Sequence, residues 1–318
     1  MNLTWVDPPP PRSQSLETMR AAYEAGATFW NGGHFYGTPT YNSTHLIHDY
    51  FTAHPEHADK VVLSIKGTAG FQGPDNSEEN IRRCVDDSLR NIGGVKAIDI
   101  FECGRIDSRV PVEDNMRVLE TLRKEGKIRG IGLTEVSADT IRRATAVAPV
   151  AAVEVELSIM VTEILYNGIA TTCAELNIPI VAWGAVGRGA FTRKHVKRNA
   201  DIPEGDHRKH IPRFQDEVLQ QNNKLVEAVQ RLADKKGCTG PQVAVAWILR
   251  LSNSTLPNGT KLGLIIPLPG ASAPERVQEN CKMVQLSDAE MQELWDIIES
   301  NPVLGGRFPP HLQKFSEY

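Results

Sequence analysis

Short runs rich in Val, Ile and Leu alternate along the chain with longer stretches whose apolar residues fall three and four apart. These are the periods of buried strands and of amphipathic helices. The runs at 28–31, 61–66, 98–103, 129–134, 153–157, 180–183 and 262–267 are too short for helices, and Gly, Pro, Asp or Asn stands close to most of them. They are predicted strands. Helices are predicted at 15–25 before Gly26, at 77–91 before Gly93 and Gly94, and at 112–125 before Gly126, each closed by glycine. Three more are predicted, at 137–148 behind a Ser cap, at 163–176 and at 216–235. Trp247 and Trp295 recur among aliphatic residues at helical spacing and read as core.

Strand-then-helix repetition with right-handed crossovers builds a doubly wound sheet or a closed barrel. A doubly wound dinucleotide fold opens with G-x-G-x-x-G after its first strand, and no such motif occurs. Polar residues instead end the strands: Asn31, Lys66, Arg105, Thr134, Glu135, Glu156 and Trp183. Such residues at successive C-terminal strand ends suit the active face of an α/β, (β/α)8 TIM barrel, expected here as one domain over 1–318. Seven strands follow residue 20, and only the stub at 3–5 precedes the first helix. The expectation is a barrel shortened at its N-terminus, with strand 1 largely missing or its slot plugged otherwise.

Composition narrows the partners. Hydrophobic residues are 41% and charged residues 23%, which excludes a wholly disordered chain. With 35 Lys and Arg against 39 Asp and Glu, the net charge of −4 offers nucleic acid no basic field and an anionic membrane no cationic face. No apolar run approaches the roughly 18 residues of a membrane span, and residues 1–10, without a basic or an apolar region, are not expected to be a secretory signal. Five widely spaced cysteines without a C-x-x-C pair suit a reducing, cytoplasmic setting. His45, His48, His54 and His57 fall on or beside a predicted exposed helix, without a convincing metal-ligand set, so no metal is expected.

Two segments carry candidate chemistry. F-W-N-G-G-H-F-Y-G ends at Gly37, and about thirty residues later Lys66 closes an apolar strand. A Tyr and a Lys from neighbouring βα units can meet across a barrel mouth, where the ammonium lowers the phenol pKa and makes it a usable acid. A rim aromatic and a solvated strand terminus fit the same spacing. His34 also lies near this loop, where it reads as a rim histidine. L-I-I-P-L-P-G-A-S-A-P-E-R-V-Q-E-N runs from a strand into a short helix near Ala273 and Pro274. Its backbone N–H groups and Arg276 suit an anion, and a capped strand–helix junction fits equally.

Taken in order, G-A-T-F-W-N-G-G-H-F-Y-G, V-L-S-I-K-G, G-K-I-R-G-I-G-L-T-E and I-I-P-L-P-G…E-R-V-Q-E-N resemble the aldo-keto reductase family over nearly the whole chain. The resemblance implies NADP(H) as coenzyme and a small carbonyl substrate. Tyr36 would be the proton donor, Lys66 its modulator, and Asn31 the counterpart of the family's Asp. It also implies that Thr134 and Glu135 lie by the nicotinamide carboxamide and that Trp183 stacks on the ring. Gly270 and Ser272 would bind phosphate, Arg276 the 2′-phosphate, and Glu279 and Asn280 the adenine. The basic stretch 193–213 would be a coenzyme clasp, or else a solvated loop. Gly104 stands where the family has a catalytic His, which would enlarge the pocket near Cys103; Asn31 would hold Lys66 through its amide oxygen. W-N-x-G-x-F-Y-G with F-x-C-x-R-x-D is similar to the fungal pyridoxal reductase branch, which implies reduction of pyridoxal to pyridoxine. The alternatives are a carbonyl reductase of a fungal secondary-metabolite pathway and a non-catalytic NADPH-binding barrel.

Overall fold

Each apolar run of the chain pairs with the next one along. In the computed structural model, which describes residues 3–6, 8–70, 73–192 and 196–318, seven parallel strands stand in sequence order in one sheet. They are β1 (Phe29–Gly33), β2 (Val62–Gly67), β3 (Ile100–Cys103), β4 (Gly130–Thr134), β5 (Ala152–Glu156), β6 (Ile180–Trp183) and β7 (Ile265–Leu268). The helices are α1 (Arg12–Glu24), α2 (Ser43–Ala53), α3 (Glu78–Ile92), α4 (Val112–Lys124), α5 (Ala138–Thr145), α6 (Ile169–Glu175), α7 (Asp216–Lys236), α8 (Gly240–Leu251), α9 (Pro274–Cys281), α10 (Asp288–Ser300) and α11 (Pro310–Gln313). Crossovers that always step one strand onward curl the sheet. Among the described residues no ladder joins β7 to β1, and α1 packs against α9 on the outside. The architecture is a (β/α)8 barrel one strand short.

Alternation along each strand sorts the two faces. Leu63, Ile65, Phe101, Ile131, Leu133, Val153, Val155, Ile180, Ala182 and Ile265 face outward into one core with the helices. There they meet Ile81 and Val85 of α3, Met116 and Leu119 of α4, and Trp247 of α8. Each of the Val, Leu, Ile, Phe and Met side chains contributes about 1.5–3 kcal/mol through burial. On the inner face, Ile100, Ala152 and Val181 form a small apolar layer with Phe29 and Leu268. Two residues further along these strands that layer gives way to Asn31, Glu102, Glu154 and Trp183. The polar layer therefore lies toward the C-terminal strand ends.

Three expectations change. Leu3, Thr4 and Trp5 form a turn rather than a strand. The stretch 163–176 is broken at Gly168, whose φ of 91° leaves a short 3-10 turn before α6. The helix carrying His45 and His48 is α2, which buries Leu46, Ile47, Tyr50 and Phe51 and is not an exposed helix. His48 bonds the Ile92 carbonyl at 3.0 Å. His54, Glu56 and His57 gather within 4.8 Å. The two rings lie parallel 5.0 Å apart, with Tyr23 stacked on His57, and each brings a nitrogen to Glu56 Oε1, at 3.6 and 3.2 Å. No helix among the described residues is long and apolar enough to cross a membrane.

Candidate active site

Strand register alone brings the polar strand ends to one level. Gly33 pairs with Lys66, Lys66 with Glu102, Thr134 with Glu154, Glu156 with Trp183, and Trp183 with Leu268. Tyr36 follows β1 and Gly270 follows β7, so both sequence-derived segments reach the same end of the sheet.

Lys66 is the centre of a buried charge cluster. Its Nζ lies 3.0 Å from Glu102 Oε1 and also contacts Glu154 Oε2. Asn31 Nδ2 donates to the same two oxygens, at 3.3 and 2.7 Å. Ser64 donates to Glu102 Oε1 at 3.0 Å and Thr134 to its Oε2 at 2.6 Å. Burial by itself lowers the Lys66 pKa, but Glu102 and Glu154 outweigh it and hold the ammonium well above its ordinary value. Burial also raises both carboxyls. The Lys66 charge and the Thr134 bond turn Glu102 below the usual range, whereas Glu154 stays well above it. The expectation that Asn31 would hold Lys66 through its amide oxygen is thus corrected: two carboxyl groups hold the ammonium, and Asn31 bonds them through its amide nitrogen.

Tyr36 is buried against this cluster. Its ring stacks on Trp5 at 4.9 Å and meets the edge of Phe35 at 4.8 Å, and its carbonyl accepts from Thr4 Oγ1 at 2.7 Å. The N-terminal turn therefore packs over the tyrosine. A Cβ on Gly33 would stand 2.8 Å from Tyr36 Cγ, so glycine is required beneath the ring. Burial raises the phenol pKa, and Lys66 is the strongest charge acting to lower it, without a hydrogen bond joining the two groups.

Glu135 and Glu156 belong to a second network that sequence reasoning did not foresee. Glu135, at φ 57°, accepts from Trp183 Nε1 at 2.8 Å, from Ser316 and Tyr318 at 2.9 Å, and pairs with Arg307. Burial would raise its carboxyl, but Arg307 and Arg105 bring it below the ordinary range. Arg188 grips Glu156 with two bonds, at 2.9 and 2.7 Å, while its guanidinium lies 4.8 Å over the Trp183 ring. Phe308 lies beside Trp183 as well. Thr134 and Glu135 thus point at Glu102 and at the C-terminal tail. Glu102 and Glu154 had a legible signal, carboxylates at inward positions within I-D-I-F-E-C and V-E-V-E; the tail residues had none.

The third group surrounds the turn after β7. Gln14 Nε2 donates to the Ser272 carbonyl at 2.7 Å, Asn280 Nδ2 approaches the Gly270 carbonyl at 3.4 Å, and Arg276 pairs with Glu279 at 2.7 Å. Nearby in charge, though apart in sequence, Arg188, Arg213 and Arg307 act on one another beside Glu156. Among the described residues, Arg213 Nε and Arg307 Nε and Nη1 are buried without hydrogen-bond partners. Guanidinium donors left unmet in a buried site suit a polyanion. Of the stretch 193–213, residues 193–195 lie outside the described residues, and Arg208 Nη1 bonds the Arg188 carbonyl at 3.2 Å. A Cβ on Gly104 would meet Ala69, Gly67 and Phe35 at 3.0–3.1 Å, so the expected widening near Cys103 is already filled by neighbours.

The family model for the aldo/keto reductase family matches residues 1–299. Probable pyridoxal reductase 2 of Schizosaccharomyces pombe is 34% identical over 322 residues, aligning 98% of this chain with 94% of that protein. A Saccharomyces cerevisiae protein whose name includes pyridoxal reductase is 35% identical over 333 residues, with 97% and 94% covered. Among solved structures, glycerol dehydrogenase from Gluconobacter oxydans superposes with a TM-score of 0.76 at 25% identity, over 92% of this chain and 87% of that one. By sequence and by fold, the chain belongs to the aldo/keto reductase family.

Proposed function

We propose that this chain reduces an aldehyde or ketone with NADPH, and that pyridoxal, giving pyridoxine, is its substrate. The observation that carries the reading is the buried Lys66 ammonium, held between two carboxyl groups and acting on the phenol of Tyr36. A phenol beside a fixed cation at the C-terminal strand ends is placed to give a proton to a developing alkoxide. Glu102 and Glu154 fix the Lys66 ammonium, so Lys66 shifts the Tyr36 proton electrostatically without itself reaching the substrate. The relatives' names support pyridoxal.

The residues present fit a dinucleotide. When bound, NADPH supplies the reducing hydride. Trp183 would stand against the nicotinamide with Thr134 near its edge, and Glu135, which accepts from Trp183 Nε1, would orient that ring. Gly270 and Ser272 would hold phosphate through backbone, Glu279 and Asn280 the adenine, and the unmet guanidinium donors of Arg213 and Arg307 provide acceptor-seeking charge. Arg276 is half-exposed and occupied only by Glu279, so a 2′-phosphate could take the guanidinium in its place. Arg276→Met is expected to weaken NADPH binding about 10- to 150-fold, the worth of charged hydrogen bonds, and NADH binding far less.

The test of substrate is product identification. Protein incubated with NADPH and pyridoxal should yield pyridoxine in step with coenzyme oxidation. Turnover of other aromatic or aliphatic carbonyls with none of pyridoxal would move the assignment to a different carbonyl reductase. A nucleotide-binding barrel without turnover is the second reading, favoured by the tie between Glu135 and the tail. It predicts NADPH binding and no oxidation with any carbonyl.

A further inference from the structure

The loop after β3 brings a cation to the mouth that neither the coenzyme nor the proton donor uses. Its backbone is held. Gly104 N donates to the Gly67 carbonyl at 2.8 Å, and Asn76 Nδ2 donates to the Arg105 carbonyl at 3.0 Å. Asn76 N in turn donates to Asp107 at 3.1 Å, which ties the same turn a second time. The turn is also held on the Tyr36 side: a Cβ on Gly104 would stand 3.1 Å from Phe35, which packs against Tyr36. No side chain fits at 104 without displacing these neighbours, so the polar group at this strand end comes from Arg105.

From that base the Arg105 side chain leads across the mouth. Its guanidinium carbon lies 5.3 Å from the centre of the Phe308 ring, and Phe308 lies beside Trp183. Its charge acts at both ends of this path, opposing the rise of the Tyr36 phenol and lowering the Glu135 carboxyl. Among the described residues, other cations of the mouth have carboxyl partners: Lys66 has Glu102 and Glu154, Arg188 has Glu156, and Arg307 has Glu135. Arg213, which has none, belongs to the group proposed to face the coenzyme. Arg105 has no carboxyl partner either, and its side chain makes one hydrogen bond, from Nη1 to the carbonyl of its own neighbour Gly104 at 2.6 Å. The remaining N–H groups of a half-buried guanidinium are left for an acceptor.

We infer that Arg105 determines substrate specificity by binding an acidic oxygen on the ring atom next to the one that bears the reacting carbonyl. The inference rests on the reductase reading above. A planar guanidinium lying over an aromatic ring matches an oxyanion on a flat substrate. Placement selects among the sources of that oxyanion. The carbonyl must reach the Tyr36 phenol, and Arg105 runs from the Tyr36 side to Phe308, so its donors lie close to the reacting carbon. An oxygen attached directly to the ring falls there, and a phosphate on a longer arm falls further out. Pyridoxal carries such an oxygen in the ring hydroxyl beside its aldehyde.

The experiment compares kcat/KM, with NADPH, for pyridoxal and its 3-O-methyl ether in the wild type, Arg105→Met and Arg105→Lys. Each ratio is taken within one protein, so an unfolded fraction cancels. The wild type should prefer the free hydroxyl about 10- to 150-fold, the worth of a charged hydrogen bond. The difference should lie mainly in KM, because the contact is the same in the ground and transition states. Arg105→Met should abolish the preference, and Arg105→Lys, with the charge but not the fork, should keep part of it. A wild type without the preference, or an Arg105→Met enzyme that retains it, overturns the inference. Pyridoxal 5′-phosphate is the third substrate: a preference for it over pyridoxal that vanishes in Arg105→Met assigns Arg105 to the phosphate and overturns the ring-oxygen placement. Binding of 4-deoxypyridoxine, which keeps the hydroxyl and lacks the aldehyde, needs no turnover and is measured by calorimetry on the NADPH-loaded proteins. It should weaken by the same factor in Arg105→Met. If it does so while no carbonyl is reduced, the oxygen subsite stands and the reductase reading alone fails; equal binding by wild type and Arg105→Met sinks the subsite.

Discussion

Arg307 is the most informative single residue to remove, because the structure fixes what its loss leaves behind. It is buried, pairs with the fully buried Glu135, lies 3.8 Å from Glu156 and stands 4.0 Å over the Tyr318 ring. Arg307→Met keeps most of the volume and deletes the charge. Glu135 then retains only neutral donors, from Trp183, Ser316 and Tyr318. Breaking a buried pair from one side costs about 3–5 kcal/mol, because the remaining charge is uncompensated. Adding Glu135→Gln removes that charge, so the double variant should recover much of the loss, a coupling of 0.5–3 kcal/mol in magnitude. Urea unfolding at fixed pH reads both effects as midpoint shifts. The pH dependence has a defined sign. In the wild type the Glu135 carboxyl is lowered, so its stabilisation is present above the ordinary carboxylate range and fades as the pH falls. In Arg307→Met burial raises it, so the penalty also shrinks on acidification and the two curves converge. An unshifted midpoint for Arg307→Met, or strictly additive single and double variants, refutes the reasoning.

Other perturbations follow from the same geometry. A Cβ at Gly67 would lie 2.4 Å from Phe101 Cζ, within the packed layer outside β2 and β3; Gly67→Ala should destabilise by about 1–3 kcal/mol, measured by denaturant titration, with nucleotide affinity reduced only in proportion to unfolding. Asp107 accepts from Arg109 Nε and Nη2 at 2.8 Å, and these bonds together with the Arg109 and Asn76 amides pull its pKa down to about 2. Its contribution is therefore present above the unfolded value and lost as the pH falls toward about 2. Asp107→Asn should lower the melting temperature at neutral pH and lose most of that difference in strong acid.

Much of the fold was legible because buried parallel strands announce themselves as uninterrupted apolar runs: 180–183 was located to the residue, and β1 to β5 within two residues at either end. Boundaries failed where backbone geometry decides, as at Gly168, whose positive φ divides one amphipathic stretch in two. The character of α2 was misjudged because its histidines were read and its Leu46, Ile47, Tyr50 and Phe51 stripe was not. At the site, the Lys66 ammonium and Asn31 meet the same two carboxyl groups, and Tyr36 is buried within reach of the Lys66 charge, a setting the spacing alone left open. Their partners come from elsewhere in the sequence: Glu102 from β3, beside β2, and Glu154 from β5, which is no sheet neighbour of β1 or β2 and meets them across the inner face of the curled sheet. Arg307 and Tyr318 reach Glu135 across more than 170 residues, a contact that no local pattern encodes.

The central proposal, that Tyr36 is the acid of a carbonyl reduction, meets its most direct test in one pair of titrations. NADPH absorbance is followed after mixing with pyridoxal, and NADPH binding by fluorescence, for wild type and Tyr36→Phe. The expected result is unchanged coenzyme affinity with oxidation slowed by about 10²-fold or more. Oxidation at the wild-type rate by Tyr36→Phe would contradict it.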